Sequence, residues 1–150
     1  MAYIPKDAKW YIAELVMECK IDGESRNVVH VNIILIRADS PEEAFKKAQE
    51  LGRESESSYL NPKNQQVLWR YRGLRDLNVI HDELEDGAEL MFEEKIAISA
   101  DEVQKMLTAK YQLNVFRPIA SRDSSQPNYI SQEIIEEALN MISDDAAENN

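Results

Sequence analysis

The sequence contains little cysteine, little glycine and no recognised catalytic loop. Cys19 is the only cysteine among the 150 residues, which excludes an internal disulfide and a cysteine-based zinc cluster and fits a reducing cytoplasm. With just four glycines, the chain has little material for a loop that cradles phosphate. G-x-S-x-G, P-loop and G-x-G-x-x-G motifs are all missing, so we expect a protein that is not an enzyme and carries no cofactor and no metal.

Long apolar runs and an excess of basic residues are also missing. No run approaches the ~18 apolar residues of a membrane helix, and the first residues lack the basic and apolar segments of a signal peptide. The chain carries 17 Lys and Arg residues against 28 Asp and Glu residues, for a net charge of −11. Such a chain repels a phosphate backbone unless its basic residues segregate onto one face. We therefore expect a cytoplasmic protein that binds neither nucleic acid nor membranes.

The apolar residues, 43% of the chain, are enough for the core of one domain, and their spacing first predicts two strands joined as a hairpin. In residues 27–38, Ile34 and Ile36 make the far end apolar on both faces, as in a central strand. The two faces of that strand otherwise differ, with Val29, Val31, Ile33 and Leu35 on one and His30 and Asn32 on the other. Residues 10–21 alternate with period two, and their apolar face carries Tyr11, Ala13, Leu15, Met17 and Cys19.

Two capping boxes predict helices. Ser40 is a suitable N-cap, Pro41 occupies the first helical position, and Glu43 completes the S-x-x-E pattern. Ser99 and Glu102 form the same pattern before a second helix. The apolar stripe of the first helix consists of Ala44, Phe45, Ala48 and Leu51.

Between these helices the sequence predicts a second pair of strands. Residues 55–65 are polar and predict a loop, and residues 65–74 predict a third strand that continues, with a bulge, toward a turn at Asp86 and Gly87. Residues 88–99 predict a fourth strand, and residues 111–119 a short fifth strand or an extended tail. The order ββα-ββα predicts an α+β fold, with four or five antiparallel strands and helices on one face of the sheet.

The C-terminal part predicts a tethered helix. Residues 1–117 form the predicted core domain, and residues 118–129 have the composition of a linker. Residues 130–143 predict an amphipathic helix, and the acidic residues 144–150 predict a disordered tail. This helix can fold back on its own sheet or dock on another molecule, and the sequence leaves both open.

Four stretches of the chain carry a family resemblance: W-Y-x-A-E-L, A-D-S-P-E-E-A-x-x-K-A, W-R-Y-R-G-L-R-D-L and D-G-A-E-L. Together they resemble the bacterial family catalogued as domain-of-unknown-function family 4288. The resemblance covers roughly residues 10–117 and leaves out the C-terminal helix. No catalytic motif defines that family, so the resemblance implies a small bacterial cytoplasmic domain and adds no active site.

Candidate site residues concentrate in residues 68–96. Arg70 and Arg72 share a face on a strand, and Arg75 can join them past Gly73, so three guanidiniums could clamp a phosphate or a carboxylate. The alternative, which we favour, is that the arginines form ion pairs on the outer sheet face, with Glu14 or Glu18 or with the acids at residues 82–86.

Two further side-chain groups have an ordinary and a functional interpretation. His81 lies among acidic residues, which could raise its pKa or share a metal with it, but its spacing matches no metal motif and an acidic hairpin rim is favoured. Trp69 and Tyr71 alternate with Arg70 and Arg72, as on a nucleic-acid platform, but the net charge favours a place in the core. Cys19 likewise falls on an apolar strand face, where a thiol behaves as a small hydrophobe.

The function that these features predict is a non-enzymatic module that binds another protein or a second copy of itself. It would bury an apolar patch on the open sheet face or on the last helix, with the three arginines as a polar anchor and an acidic rim that selects a basic partner. The docking contacts of the helix would be Ile134, Leu139 and Ile142. Two alternatives remain: an immunity-type protein that neutralises a basic toxin, and a domain that binds a small anionic ligand or acts on it with Arg70, Arg72 and His81.

Overall fold

A computed structural model of the chain describes residues 3–118 and 125–148. Four strands form one antiparallel sheet in the order β2-β1-β4-β3, and the described helices alternate with strand pairs as ββα-ββα before a final helix. The predicted α+β class with a four-stranded antiparallel sheet is therefore confirmed. The strands are β1 (Trp10–Ile21), β2 (Val28–Arg37), β3 (Ser57–Leu60) and β4 (Gln66–Val79), and the helices are α1 (Pro41–Glu54), α2 (Ala100–Met106) and α3 (Gln132–Glu148).

The long strand β1 is central, because it pairs with both β2 and β4. Its alternation places one set of side chains under α1, as the sequence predicts. Ala44 and Ala48 of α1 are fully buried, which lets the helix lie close to the sheet. The main core on this face consists of Tyr11, Ala13, Leu15, Ile36, Ala38, Ala44 and Ala48.

Helix α1 begins where its cap predicts. The Ser40 hydroxyl accepts a hydrogen bond from the Glu43 N–H at 3.1 Å, while the Glu43 carboxylate accepts from the Asp39 N–H at 2.9 Å rather than from Ser40. The buried stripe differs from the predicted one, since Ala44, Ala48 and Gly52 are buried while Phe45 and Leu51 are exposed. Gly52 is therefore part of the packed helix face, because it meets the ring of Tyr71.

Strand β4 contains two register shifts against β1, which explain why its sequence does not alternate. The first shift lies opposite Glu14 and Leu15 and leaves Arg75 as the extra residue, and the second leaves Arg72. A bulge changes which face the following side chains take. As a result Leu74 and Leu77 both pack against the main core. The predicted bulged continuation of this strand is confirmed as far as Val79, where β4 ends short of the turn at Asp86 and Gly87.

Two predicted elements are wrong. Residues 88–99 form no strand, and residues 55–65 contain β3. The turn that joins β3 to β4 is made by Asn61, whose side-chain oxygen accepts from the N–H groups of Lys63 and Gln65. In the segment predicted as the fourth strand, Ala97 has φ 60°, which no regular strand adopts. Of the segment 111–119, predicted as a short strand or an extended tail, residues 111–118 contain 3₁₀ turns at Lys110–Gln112 and Asn114–Phe116, and residue 119 lies outside the described residues.

The described chain divides into two compact units, residues 1–90 together with 127–150, and residues 91–126. The second unit contains α2, whose capping box between Ser99 and Glu102 is confirmed in both directions. Every residue from 91 to 118 is exposed. This unit therefore has secondary structure without a core of its own over these residues.

The far end of the helix-covered sheet face carries a second apolar cluster. Cys19, Ile21 and Val67 are buried there, and the residues that pack on them include Tyr59, Trp69 and Tyr129. Tyr129 comes from the segment predicted as a linker. The Tyr59 hydroxyl donates to the Tyr129 carbonyl, and the Asn61 amide donates to the Asn128 carbonyl at 2.9 Å. The segment just before α3 is thus fixed to the sheet of its own chain, while residues 119–124 of the predicted linker lie outside the described residues.

Helix α3 begins after Ser131, whose hydroxyl accepts from the Ile134 N–H at 3.3 Å. It extends to Glu148, past the predicted end at residue 143. Most of the segment predicted as a disordered tail, 144–150, is therefore helical, and residues 149 and 150 lie outside the described residues. Among the helices of the described residues, none is long and apolar enough to span a bilayer.

Cys19 gives a direct test of the second cluster. Its side chain is 1% exposed, and burial raises the pKa of its thiol. Because the thiolate is the reactive form, we expect no reaction of the folded protein with Ellman's reagent at a pH near the ordinary thiol pKa of ~8.5. One thiol should react when denaturant is added. Rapid modification of the native protein, followed by absorbance, would show that this end of the sheet opens.

Candidate functional site

The three arginines of β4 each face a glutamate. Arg75 Nη2 donates to Glu14 Oε1 at 2.7 Å, Arg72 Nε lies 3.7 Å from Glu18 Oε1, and Arg70 Nη1 lies 3.8 Å from Glu56 Oε2. Arg72 and Arg75 are the two extra residues of the bulges, so the bulges direct both guanidiniums toward β1. The predicted pairing with Glu14 and Glu18 is present, and neither of these two arginines pairs with the acids at 82–86.

The pair of Glu14 and Arg75 differs from the other two. Glu14 is buried, with its side chain 7% exposed, whereas the Arg75 side chain is 57% exposed. The hydrogen bond from Arg75 to Glu14 raises the pKa of the guanidinium. A buried carboxylate in the central strand therefore depends on a cation that reaches it from the neighbouring strand.

His81 does not join the arginines. It is exposed and lies beyond the end of β4, in a surface cavity of ≈ 290 Å³ whose lining includes Trp10, Ile80 and Glu83 and no arginine. β4 ends at Val79, and at ~3.3 Å per residue Arg70 lies about 30 Å before that end. The anionic-ligand alternative requires Arg70, Arg72 and His81 to lie close together. The structure of β4 and of the residues that follow it does not bring them together.

An aromatic group lies at the far end of the sheet. The ring centroids of His30 and Trp69 are 4.8 Å apart, and those of His30 and Tyr129 are 5.1 Å apart. Trp69 donates its indole N–H to the Tyr59 hydroxyl at 2.9 Å. These rings pack on one another under the sheet, as the sequence favoured for Trp69. Tyr129 is the member that sequence patterns missed, since it lies outside every predicted element.

Most of the apolar side of α3 is uncovered. Four of its large apolar side chains are between 59% and 66% exposed, namely Ile134, Leu139, Met141 and Ile142, whereas Ile135 is half-buried. These include all three residues predicted as docking contacts. Residues 125–150 contain acidic residues and no basic residue. The helix therefore presents an apolar side next to carboxylates, including those of Glu133 and Glu137.

Two observations bear on metal binding and on the sheet edge. Among residues 3–118 and 125–148, no three His, Cys, Asp or Glu side chains are grouped as metal ligands.

Strand β2 forms one edge of the sheet, although its sequence predicts a central strand at its far end. Val29, Ile33 and Leu35 of this strand are exposed on the open face of the sheet, the face that α1 does not cover. The sequence pattern that indicates them is the apolar character of both faces of this strand.

Comparison with known proteins gives a family and no activity. No curated protein and no solved structure matches the chain. The profile of one family, described as "Domain of unknown function (DUF4288)", matches residues 10–92. The match covers the four-stranded sheet and α1, and it leaves out α2 and α3. Because it spans more than half of the chain, this protein belongs to the DUF4288 family.

Proposed function

We propose that the chain is a non-enzymatic protein-interaction module whose C-terminal helix docks on a partner. The exposed apolar side of α3 carries the proposal. A helix that leaves Ile134, Leu139 and Ile142 in water forgoes about 1.5–3 kcal/mol per side chain that burial would provide. An amphipathic helix recovers this free energy when its apolar side enters a groove on another protein.

The charge of α3 selects the kind of partner. Glu133, Glu136 and Glu137 lie in its first turns, and no basic residue follows Arg122 in the sequence. Two such helices would repel each other, whereas an apolar groove flanked by Lys and Arg would attract one. A cytoplasmic location agrees with the single buried thiol. The anchor at Tyr129 fixes the start of the helix to the sheet, which reduces the entropy that docking must overcome.

Residues 91–118 support the same function. Their apolar side chains are exposed throughout, and α2 has seven residues, too few for stability on its own. A segment of this kind gains its burial from contact with other protein surface. It adds a second apolar surface to that of α3.

The test compares two variants, each of which replaces one exposed apolar residue by glutamate. We expect Leu139→Glu to lose binding of the proteins that the immobilised wild-type chain retains from a lysate of its own cells, identified by mass spectrometry. Phe45→Glu, at a residue of α1 that is also about half exposed, should retain them. Binding of these proteins should also weaken as the ionic strength rises from about 0.05 M to about 0.5 M. Salt screens the attraction between the acidic helix and a groove flanked by basic residues. Equal retention by wild type and Leu139→Glu, with both folded by circular dichroism, would contradict the proposal.

A further inference from the structure

Strand β2 has the composition of a central strand and the position of an edge strand. It is ten residues long, from Val28 to Arg37, without proline, glycine, lysine or an acidic residue. Its pairing with β1 runs without a register shift. Natural edge strands are usually protected by shortness, charge, proline or a bulge. The opposite edge, β3, has four residues and fits that rule, whereas β2 has none of these protections apart from Arg37 at its end.

The unpaired backbone groups of β2 can be assigned to particular residues. Just after the strand, the Ala38 N–H donates to the Lys9 carbonyl at 2.9 Å. In an antiparallel pair, residues alternate between those that bond the neighbour and those whose N–H and C=O point away. Counting back from Ala38 through the unbroken register, the even-numbered residues bond β1. The groups that point outward therefore belong to Val29, Val31, Ile33 and Leu35.

The same four residues carry the apolar side chains of the open face. Val29, Ile33 and Leu35 are exposed there, and Val31 is half-buried. A strand that paired with this edge would satisfy four residues' backbone groups and cover their side chains together. Both the hydrogen bonds and the apolar contacts would come from one addition of a strand.

We propose that β2 pairs antiparallel with β2 of a second copy of this chain, joining two sheets into one of eight strands. The row of outward residues is symmetric about Asn32, so a two-fold axis there brings Val29 opposite Leu35 and Val31 opposite Ile33. Residues directly opposite in an antiparallel pair lie on the same face. The axis therefore places apolar side chains opposite apolar side chains along the whole row, with no carboxylate between them.

The net charge bears on the choice of partner as well. Two copies of charge −11 repel each other, but the segment from Val28 to Ile36 contains no acid, so the paired strands themselves meet without repulsion. The pairing should therefore tighten as salt screens the distant charges. This is opposite to the salt dependence expected for docking of α3 on a basic partner, so the two surfaces can be distinguished in one titration.

The experiment measures mass and amide exchange of the full chain. We expect a dimer by light scattering, and slow hydrogen exchange by NMR at all of the residues from Val29 to Ile36. On dilution to monomer, the amides of Val29, Val31, Ile33 and Leu35 should exchange fast while those of His30, Asn32 and Ile34 remain slow. A monomer at every concentration up to about millimolar, or a dimer whose four outward amides exchange fast, would overturn the proposal.

Matched variants at the two edges separate the pairing from folding. Ile33→Pro removes an outward N–H without removing a hydrogen bond to β1. We expect the dissociation constant of the dimer to rise at least about tenfold, because the two-fold symmetry places the substitution in both copies and two hydrogen bonds are lost. Leu60→Pro makes an equivalent change on the short edge, where the register from Asn61 to Gln65 also directs the Leu60 N–H outward, and the dimer should persist. Ile33→Lys and Leu60→Lys repeat the comparison with the N–H retained, if either proline variant fails to fold. A dimer unchanged in a folded Ile33→Pro or Ile33→Lys variant would refute pairing through β2.

Discussion

Gly52→Ala is expected to destabilise the protein by about 2 kcal/mol, although alanine is ordinarily the better helix residue by about 1 kcal/mol. A Cβ at this position would lie 2.7 Å from Tyr71 Cδ2 and closer still to Cδ1 and Cε1. Overpacking of this kind costs about 1–3 kcal/mol or more. The ring has little freedom to yield, because the Tyr71 hydroxyl donates to Gln49 on the same helix. Urea unfolding of the variant should show the loss, and Gly52→Val should lose more.

A double-mutant cycle identifies the ring as the cause. In a Tyr71→Ala background the overlap is gone, so Gly52→Ala should become neutral or stabilising there. Glu50→Ala, at an exposed residue of the same helix, controls for general effects of substitution and should change stability by less than about 0.5 kcal/mol. A destabilisation by Gly52→Ala that persists without the Tyr71 ring would contradict the packing described here.

The parts of the fold that sequence predicts are those with a local physical signal. Strand β1 alternates because one face lies under α1, and α1 begins at Ser40 because its cap satisfies free backbone N–H groups. These signals are contained within a few neighbouring residues. The fold class follows from the order of such elements, which explains why it is correct although the strand predicted at residues 88–99 is absent.

The errors arise where long-range contacts decide. The residues of 88–99 alternate about as well as those of β3, but only Ser57–Leu60 have a partner strand brought to them by the Asn61 turn. In β4, the bulges at Arg72 and Arg75 place Tyr71, Leu74 and Leu77 on one face. Residues three apart in a regular strand point to opposite faces, so nothing in a single sequence indicates that these three share one. The alternating pattern applies only to a strand without bulges.

The candidate surfaces divide in the same way. The exposed apolar side chains of α3 are predictable, because Ile134, Leu139 and Ile142 belong to the amphipathic pattern of a helix. The contact of Tyr129 with Trp69 is not, because it joins residues distant in sequence and no local pattern marks it. The apolar pattern of β2 predicts a central strand at its far end, and this prediction is wrong, because β2 lies at an edge of the sheet. That mismatch between local pattern and position is what a second copy would resolve.

The pair of Glu14 and Arg75 supplies the second large effect, and it is asymmetric. Arg75→Met should destabilise the protein clearly, because it leaves the Glu14 carboxylate buried without its donor, and an unsatisfied buried group costs about 1–3 kcal/mol or more when charged. Glu14→Leu should cost less, since the exposed Arg75 side chain can turn to water. Arg72→Met is the matched control: its partner Glu18 is 21% exposed and 3.7 Å away, so its loss should be small.

The double variant Glu14→Leu with Arg75→Met tests the effect of removing both members of the pair. Replacing both members of a buried pair by apolar residues is often neutral or stabilising, so its unfolding midpoint in urea should return to that of the wild type or exceed it. The hydrogen bond with Glu14 raises the pKa of Arg75, so the charge of this arginine contributes stability at neutral and mildly alkaline pH, below its already high ordinary pKa and where a carboxylate is ionised. The ranking should therefore hold across neutral and mildly alkaline pH. If Arg75→Met and Arg72→Met were equally mild, the central carboxylate would not depend on the arginine that the first bulge directs to it.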